Sequence, residues 1–200
     1  MSISAILPLK ALDRSKQRLA ARLDAGERQA LMARLFTHVA RVCAATPGID
    51  RVCAVVGDAT GAGLARSAGI EWVAEPTPDL NAAVAHATAR AGGDASLVVV
   101  TDLPLLRVAD LTFVLDCGQW PGVVVAATRD GGTGALLRRP RAAVAPAFGQ
   151  RSAAAHLAAA ARVGLRATLL SSRGLRHDVD RPADLDAAAD AGRSARADHR

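Results

Sequence analysis

Short runs of apolar residues alternate with longer amphipathic segments along most of the chain. The helix predicted at residues 24–45 is of the amphipathic kind, because apolar side chains recur every three or four positions and Asp24 and Glu27 have the spacing of a capping box. The run at residues 97–100 is of the apolar kind, and four consecutive aliphatic side chains are typical of a strand buried on both faces. The predicted strands cover residues 3–9, 51–57, 70–75, 96–100, 122–128, 135–139 and 165–172, and the predicted helices cover 24–45, 59–69, 80–93, 108–117, 152–164 and 181–192.

Strand and helix alternate almost without exception, which predicts a three-layer α/β/α sandwich around a mostly parallel sheet. The segment 122–140 departs from this order, because its two strands have no helix between them. It predicts an antiparallel pair at or near an edge of the sheet. The loops are short throughout, so we expect one domain at residues 1–192, followed by a disordered tail at 193–200.

The composition changes the range of possible partners. The chain has three Phe, two Trp and no Tyr, which argues against modules that bind nucleic acid by stacking bases on aromatic rings. The net charge of +6 is spread along the whole chain, and such a diffuse positive field suits small anionic substrates. A basic nucleic-acid-binding or regulatory domain remains an alternative, and the high isoelectric point alone supports it.

The cysteines and the N-terminal residues indicate the cellular compartment in which the protein is expected. Cys43, Cys53 and Cys117 are odd in number and lack the spacing of a metal site, so we expect reduced, buried thiols. The apolar run near the start is too short for a signal peptide or a membrane span. These features predict a cytoplasmic protein with no membrane partner.

Three aspartates are candidates for a metal site. Asp102 follows the strand at 96–100, on the edge of an open α/β sheet where ligands bind. Asp178 and Asp180 are two positions apart, so an extended chain would direct both carboxylates to the same side, where they repel unless a cation lies between them. Mg²⁺ held by these carboxylates and by substrate phosphate is the simplest arrangement. Helix caps, with Asp180 before a helix at Pro182, are the alternative.

The loop after the first strand is a candidate phosphate-binding segment. Only two of the 25 basic residues are lysines, and both, Lys10 and Lys16, lie in this loop together with Arg18. The loop lacks the spacing of a P-loop or a dinucleotide-binding motif, but its amides and lysines could still hold a triphosphate. A solvated basic loop is the alternative.

A second group of residues suits a smaller anion. Thr133 lies between glycines, and Gly149 and Ser152 lie before and at a predicted helix start, where backbone amides and hydroxyls bind phosphate or carboxylate. A flexible loop followed by a serine cap is the alternative. Asn81 at another helix start could contact a base or ribose, although a helix cap is the simpler interpretation. We interpret His156 as a core or capping histidine rather than a base.

Six segments, in this order and spacing, resemble the CofC/FbiD guanylyltransferases of coenzyme F-420 biosynthesis: LPLKALDRSKQRLA, DLNAAV, TDLPLL, GGTGALL, FGQRSAAAH and HDVDRPADL. The likeness runs from about residue 3 to residue 185. It implies a MobA-like (GT-A-like) nucleotidyltransferase fold and an enzyme that transfers GMP from GTP to phosphoenolpyruvate or 2-phospho-L-lactate, releasing pyrophosphate. The chain departs from the family pattern at Gly134, among other positions, so 3-phosphoglycerate is a further candidate acid. A MobA- or sugar-type nucleotidyltransferase with another acceptor is the alternative enzyme.

The resemblance also implies roles for individual residues. Asp102, Asp178 and Asp180 would hold Mg²⁺, and Lys16 and Asp102 would be catalytic. It further implies that the next enzyme of the pathway takes the unstable product, and a homodimer is an additional expectation. The nucleotide would be bound by Pro8, Leu9, Lys10, Lys16, Arg18 and Asn81, and the phosphorylated acid by Thr133, Gly149 and Ser152.

Overall fold

A twisted sheet crosses the centre of the protein in the computed structural model, which describes residues 1–12 and 16–185. Seven strands of this part of the chain form the sheet. They are β1 (Ile3–Leu9), β2 (Arg51–Val56), β3 (Glu71–Ala74), β4 (Ala95–Val99), β5 (Gly122–Ala127), β6 (Thr133–Arg139) and β7 (Arg166–Leu170). The helices are α1 (Ala25–Ala45), α2 (Ala59–Ser67), α3 (Leu80–Ala91), α4 (Val108–Cys117), α5 (Ser152–Arg162) and α6 (Arg173–Arg176), with a short 3-10 helix at Gln17–Leu19.

The strand order is β3-β2-β1-β4-β6-β5-β7, and β6 alone among these strands runs antiparallel to its neighbours. The mostly parallel sheet is therefore confirmed, and so is the antiparallel pair formed by β5 and β6. The pair lies near an edge of the sheet, as predicted. After α5, strand β7 pairs parallel to β5. β7 therefore forms the edge of the sheet, and β6 lies inside it.

Helices cover both faces of the sheet, which confirms the three layers. On one face Phe36 of α1 and Leu111 of α4 pack in one core with Leu7 of β1. On the other face Val84 of α3 and Ala160 of α5 pack with Ile6. No helix in the described ranges is long and apolar enough to cross a membrane.

The domain bounds stay a prediction. Residues 182–185 form one helical turn of the helix predicted at 181–192. The rest of that helix and the tail predicted at 193–200 lie outside the described residues. The cysteine prediction is confirmed for two residues, because Cys43 and Cys53 are free and buried.

Hydrogen bonds to Pro8 and to Asp58 fix the loops that carry the candidate residues. The Thr101 hydroxyl donates to the carbonyl oxygen of Pro8 over 3.0 Å and ties the end of β4 to the end of β1. The Asp58 carboxylate accepts from the Leu12 amide at 2.8 Å and from the Gly61 amide at 2.6 Å. Asp58 thus caps α2 and at the same time anchors the segment that follows β1.

Candidate active site

A cleft of about 510 Å³ opens where β1 and β4 end and β6 begins. Because β6 is antiparallel to β4, its first residue lies at the sheet edge at which the parallel strands end. Most of the predicted site residues line this cleft: Lys10, Lys16, Arg18, Asp102, Thr133, Gly149, Ser152, Asp178 and Asp180.

The three candidate metal ligands meet in the cleft. One carboxylate oxygen from each of Asp102, Asp178 and Asp180 lies within 4.8 Å of the other two. The Val179 amide donates to the Asp102 carbonyl oxygen over 3.1 Å, and this bond aligns the 178–180 segment beside the end of β4. Burial, followed by the neighbouring Asp102 carboxylate, raises the pKa of Asp178 to about 6. The expected convergence of like charges is therefore present.

Lys16 neutralises part of this cluster. Its Nζ lies 2.5 Å from Asp102 Oδ2 and 2.7 Å from Asp180 Oδ1. Burial would lower the pKa of Lys16, but the attraction of the two carboxylates outweighs burial and raises the pKa. The Lys16 side chain is only 8% exposed, so a solvated loop does not describe it, whereas Arg18 is 68% exposed and 3.6 Å from Asp180. Asp180 thus faces cations instead of capping a helix at Pro182.

The donor set fits a hard divalent cation. Asp102 Oδ1 is buried, and none of the described residues offers it a hydrogen-bond donor. Buried carboxylate oxygens without partners are costly, and oxygen ligands of this kind are those that Mg²⁺ prefers. Asp102 is also not a cap of the next helix, because α4 begins only at Val108 and its first turn is held by Asp110, which accepts from the Arg107 amide.

On the opposite wall, three side chains form a buried network. Ser152 Oγ lies 3.0 Å from Thr133 Oγ1, and His156 Nδ1 lies 3.1 Å from the same oxygen. The Ala147 amide donates to His156 Nε2 over 2.9 Å, so the neutral ring carries its proton on Nδ1 and donates it to Thr133. Ser152 is therefore not a cap, since Arg151 holds the N-cap position, and the interpretation of His156 as a core histidine is confirmed.

Acid should destabilise the protein through His156. Burial, with the charge of Arg138 as the second cause, lowers the pKa of His156 from 6.5 to about 4. Between these two values the unfolded chain takes up the proton and the folded protein does not. The stabilisation present above pH 6.5 is therefore lost as pH falls toward 4, by up to about 1.4 kcal/mol per pH unit.

Urea unfolding of the native protein and of His156→Gln from pH 7 to 4.5 would measure this effect. The difference in unfolding free energy between the two should shrink as the pH falls, because glutamine does not titrate. A difference that stays constant over the range would contradict a depressed His156 pKa.

Three predicted nucleotide contacts are not among the residues that line the main cleft, and their roles stay predictions. Leu9 is 1% exposed, and its carbonyl oxygen accepts from the Gly57 amide over 3.0 Å, so it belongs to the core and does not line the cleft. Asn81 is not the N-cap of α3, because Asp79 holds that position. Asn81 is also absent from the residues that line the cleft, and its side-chain amide is hydrogen-bonded to the backbone of Phe148. Pro8 lines an adjoining recess of about 340 Å³, which also borders Lys10, Lys16 and Asp102.

The structure adds residues that the sequence analysis missed. Asp130 lines the cleft and accepts from the Thr128 hydroxyl at 2.6 Å and from the Gly132 amide at 3.1 Å. The bond to Thr128 is the main reason why the pKa of Asp130 is lowered. The segment TRDGG carried the signal, because an Asp two residues before a glycine is typical of an Asx turn.

Gly134, where the chain departs from the family pattern, has a packing explanation. A Cβ at this position would lie 2.5 Å from the Leu175 carbonyl oxygen, so a side chain would displace α6 from β6. Gly134 is not among the residues that line the cleft. This departure therefore gives no support to 3-phosphoglycerate as the acid.

Comparison with known proteins agrees with this arrangement. The model of the family described as "Guanylyl transferase CofC like" matches residues 3–197. The chain is 40% identical to a phosphoenolpyruvate guanylyltransferase of Nocardia farcinica, covering 96% of this chain and 87% of the relative. It is 38% identical to a protein of the same name from Roseiflexus, covering 92% and 84%.

Among solved structures, one described as a putative nucleotide-diphospho-sugar transferase from Desulfovibrio desulfuricans superposes with a TM-score of 0.71 at 21% identity. The match covers 93% of this chain and 86% of the other, and it shows that the two proteins share a fold. The resemblance inferred from the six sequence segments is confirmed by the family match. The chain belongs to the CofC-like guanylyltransferases, which are nucleotidyltransferase enzymes.

Proposed function

We propose that this protein transfers GMP from GTP to phosphoenolpyruvate with release of pyrophosphate, as a step in coenzyme F-420 biosynthesis. One observation carries the proposal: a single cleft has a carboxylate cluster with cationic side chains on one wall and a hydroxyl and glycine cradle on the other. The choice of phosphoenolpyruvate rests on the relatives, which carry that acid in their names at 34–40% identity. 2-Phospho-L-lactate is the second candidate.

The reaction needs no nucleophile from the protein. A phosphate oxygen of the acid attacks the α-phosphorus of GTP and forms a new P–O bond. The bond from the α-phosphorus to the bridging oxygen breaks, and pyrophosphate leaves with that electron pair. Since the attacking oxygen is already deprotonated, positioning and charge neutralisation supply most of the rate.

The nucleotide side of the site lies around the aspartates. Asp102, Asp178 and Asp180 would hold Mg²⁺, and a bound ion would offset the negative charge of the triphosphate. Lys10, Lys16 and Arg18 line the same cleft and would bind the phosphates of GTP. The proposed selectivity for guanine rests on the family to which the chain belongs.

The acid would bind at Thr133, Gly149 and Ser152. The Thr133 and Ser152 hydroxyls are 3.0 Å apart and both residues line the cleft. Gly149 has a φ of +144°, which side-chain-bearing residues rarely adopt, and no atom lies within 4 Å of the place where its Cβ would be. A backbone of this kind lets an anion approach closely.

Pyrophosphate release with Mg²⁺ and GTP tests the proposal. Phosphoenolpyruvate, 2-phospho-L-lactate and 3-phosphoglycerate would be supplied separately, with the next enzyme of the pathway present to trap the product. We expect release with phosphoenolpyruvate and loss of activity when a chelator removes the metal.

Activity that requires CTP or ATP instead of GTP would overturn the guanylyl assignment. Activity only with a different acceptor would favour a MobA- or sugar-type enzyme. Salt-dependent binding of nucleic acid without any nucleotide transfer would favour the binding-domain alternative.

A further inference from the structure

The loop at residues 147–149 is fastened by side chains from two helices on the same face of the sheet. Asn81 of α3 donates from Nδ2 to the Phe148 carbonyl oxygen over 3.1 Å and accepts at Oδ1 from the Phe148 amide over 2.7 Å. His156 of α5 accepts from the Ala147 amide, and its ring meets the Phe148 ring edge-on, with centroids 5.0 Å apart. Gly149, which lines the acid side of the cleft, follows directly.

We propose that Asn81 and His156 are positioning residues for the phosphorylated acid: Asn81 fixes the backbone before Gly149, and His156 fixes the hydroxyl of Thr133. Neither residue is among those that line the main cleft. Both would act through groups that do line it. This inference deepens the proposed function and rests on it for the identity of the acid.

The argument for His156 is a count of hydrogens. His156 Nδ1–H, the Thr133 hydroxyl and the Ser152 hydroxyl provide three donor hydrogens for two contacts, so one hydroxyl hydrogen remains for a ligand in the cleft. In the opposite tautomer, with the proton on Nε2, Nδ1 would be an acceptor facing the Thr133 hydroxyl. It would then take up the hydroxyl hydrogen that is otherwise left for a ligand. The bond from Ala147 to Nε2 excludes this tautomer. The pair of hydroxyls from Thr133 and Ser152 therefore has one hydrogen to donate into the cleft, which suits an anionic ligand.

The argument for Asn81 is that its side-chain amide makes two hydrogen bonds to the backbone of one residue, Phe148. These two bonds hold the side chain against the loop, and Asn81 is not among the residues that line the cleft. Those bonds hold the loop in a conformation in which Gly149 has a positive φ. Removing them should loosen the acid subsite and leave the phosphate-binding wall around Lys16 in place.

Steady-state kinetics with both substrates varied would test Asn81. In Asn81→Ala we expect KM for phosphoenolpyruvate to rise about tenfold, KM for GTP to change less than about twofold, and kcat at saturating acid to stay within about threefold. His86→Ala, on the same helix, is the matched control and should leave both KM values unchanged. A rise in KM for GTP alone would place Asn81 at the nucleoside and overturn the inference.

Two substitutions separate the contacts of His156. The amide of His156→Asn can occupy the place of Nδ1 and donate to Thr133, whereas that of His156→Gln reaches the place of Nε2 and keeps only a partner for Ala147. We expect His156→Gln to raise KM for phosphoenolpyruvate about tenfold and His156→Asn to stay within about threefold of the native value. Equal effects of the two would indicate a merely structural role and overturn this part.

Calorimetric titration with phosphoenolpyruvate and with GTP and Mg²⁺, each alone, distinguishes the two levels of proposal. A native protein that binds phosphoenolpyruvate about tenfold more tightly than Asn81→Ala and His156→Gln do, but releases no pyrophosphate, would retain the inference and remove the proposed function. If the native protein binds no phosphoenolpyruvate, either in the calorimetric titration or in the kinetic assay, the inference is overturned as well.

Discussion

Replacing Asp102 with asparagine is expected to lower kcat for guanylyl transfer about 10³-fold or more, which is the loss typical when a charge-stabilising group at a reacting centre is removed. Asparagine keeps the size of the side chain and removes its charge. Asp102 is central to the cluster because Oδ2 binds Lys16 and the buried Oδ1 has no donor among the described residues. Pyrophosphate release at saturating substrates would measure the effect.

The fold of this variant should persist, because a side chain of the same shape remains at the end of β4. Asp116→Asn, a change on the exposed face of α4, is the matched control and should leave turnover at the native value. Mn²⁺ binding followed by paramagnetic resonance gives a second measurement, and Asp102→Asn should weaken it. Turnover within tenfold of native, with unchanged metal binding, would refute the metal assignment.

Replacing Lys16 with methionine should change catalysis and metal binding in opposite directions. We expect kcat/KM for GTP to fall by about 10²-fold, because a buried cation that would bind the triphosphate is lost. Metal affinity in the absence of nucleotide should rise instead, because Lys16 now occupies Asp102 and Asp180 at 2.5 and 2.7 Å and competes with any ion for them. Methionine keeps the length of the side chain without its charge.

Lys10→Met is the comparison for Lys16, since Lys10 lines the same cleft and is exposed. Its effect on kcat/KM for GTP should be smaller, and metal affinity should stay unchanged because no ion pair between Lys10 and the carboxylates is present in the described part of the chain. Metal titrations and initial-rate measurements on Lys16→Met and Lys10→Met would test both expectations. A parallel fall in metal affinity and turnover in Lys16→Met would show that Lys16 supports the ion and does not compete with it.

Local patterns were sufficient to predict the layers of the fold and the aspartate cluster. An apolar run that ends in Asp102 indicates a strand end, and the period-two spacing of Asp178 and Asp180 indicates carboxylates on one side of an extended chain. Both signals depend on the backbone alone. The structure therefore brings these residues together as expected.

Sequence patterns say least where a side chain's partner lies far along the chain. Asn81 bonds a peptide group 67 positions away, and no local rule distinguishes that partner from a ligand or a helix cap. Leu9 was assigned from its place in a motif, although its position in β1 buries it.

The reversed direction of β6 has a consequence for how this fold can diversify. Thr133 begins β6, so the acid wall is built from the turn at 128–132 and the start of a strand, whereas the aspartate wall is built from the end of β4 and the segment 178–180. The two walls are nevertheless joined, because the Arg129 amide in that turn donates to the Arg176 carbonyl oxygen over 3.0 Å and the Arg129 guanidinium lies 2.9 Å from Asp184, which accepts from the Asp180 amide. If the acid binds at Thr133 as proposed, insertions in this turn would disturb the aspartates as well, so we expect related enzymes to acquire new acceptors by substitutions in the turn rather than by changes in its length.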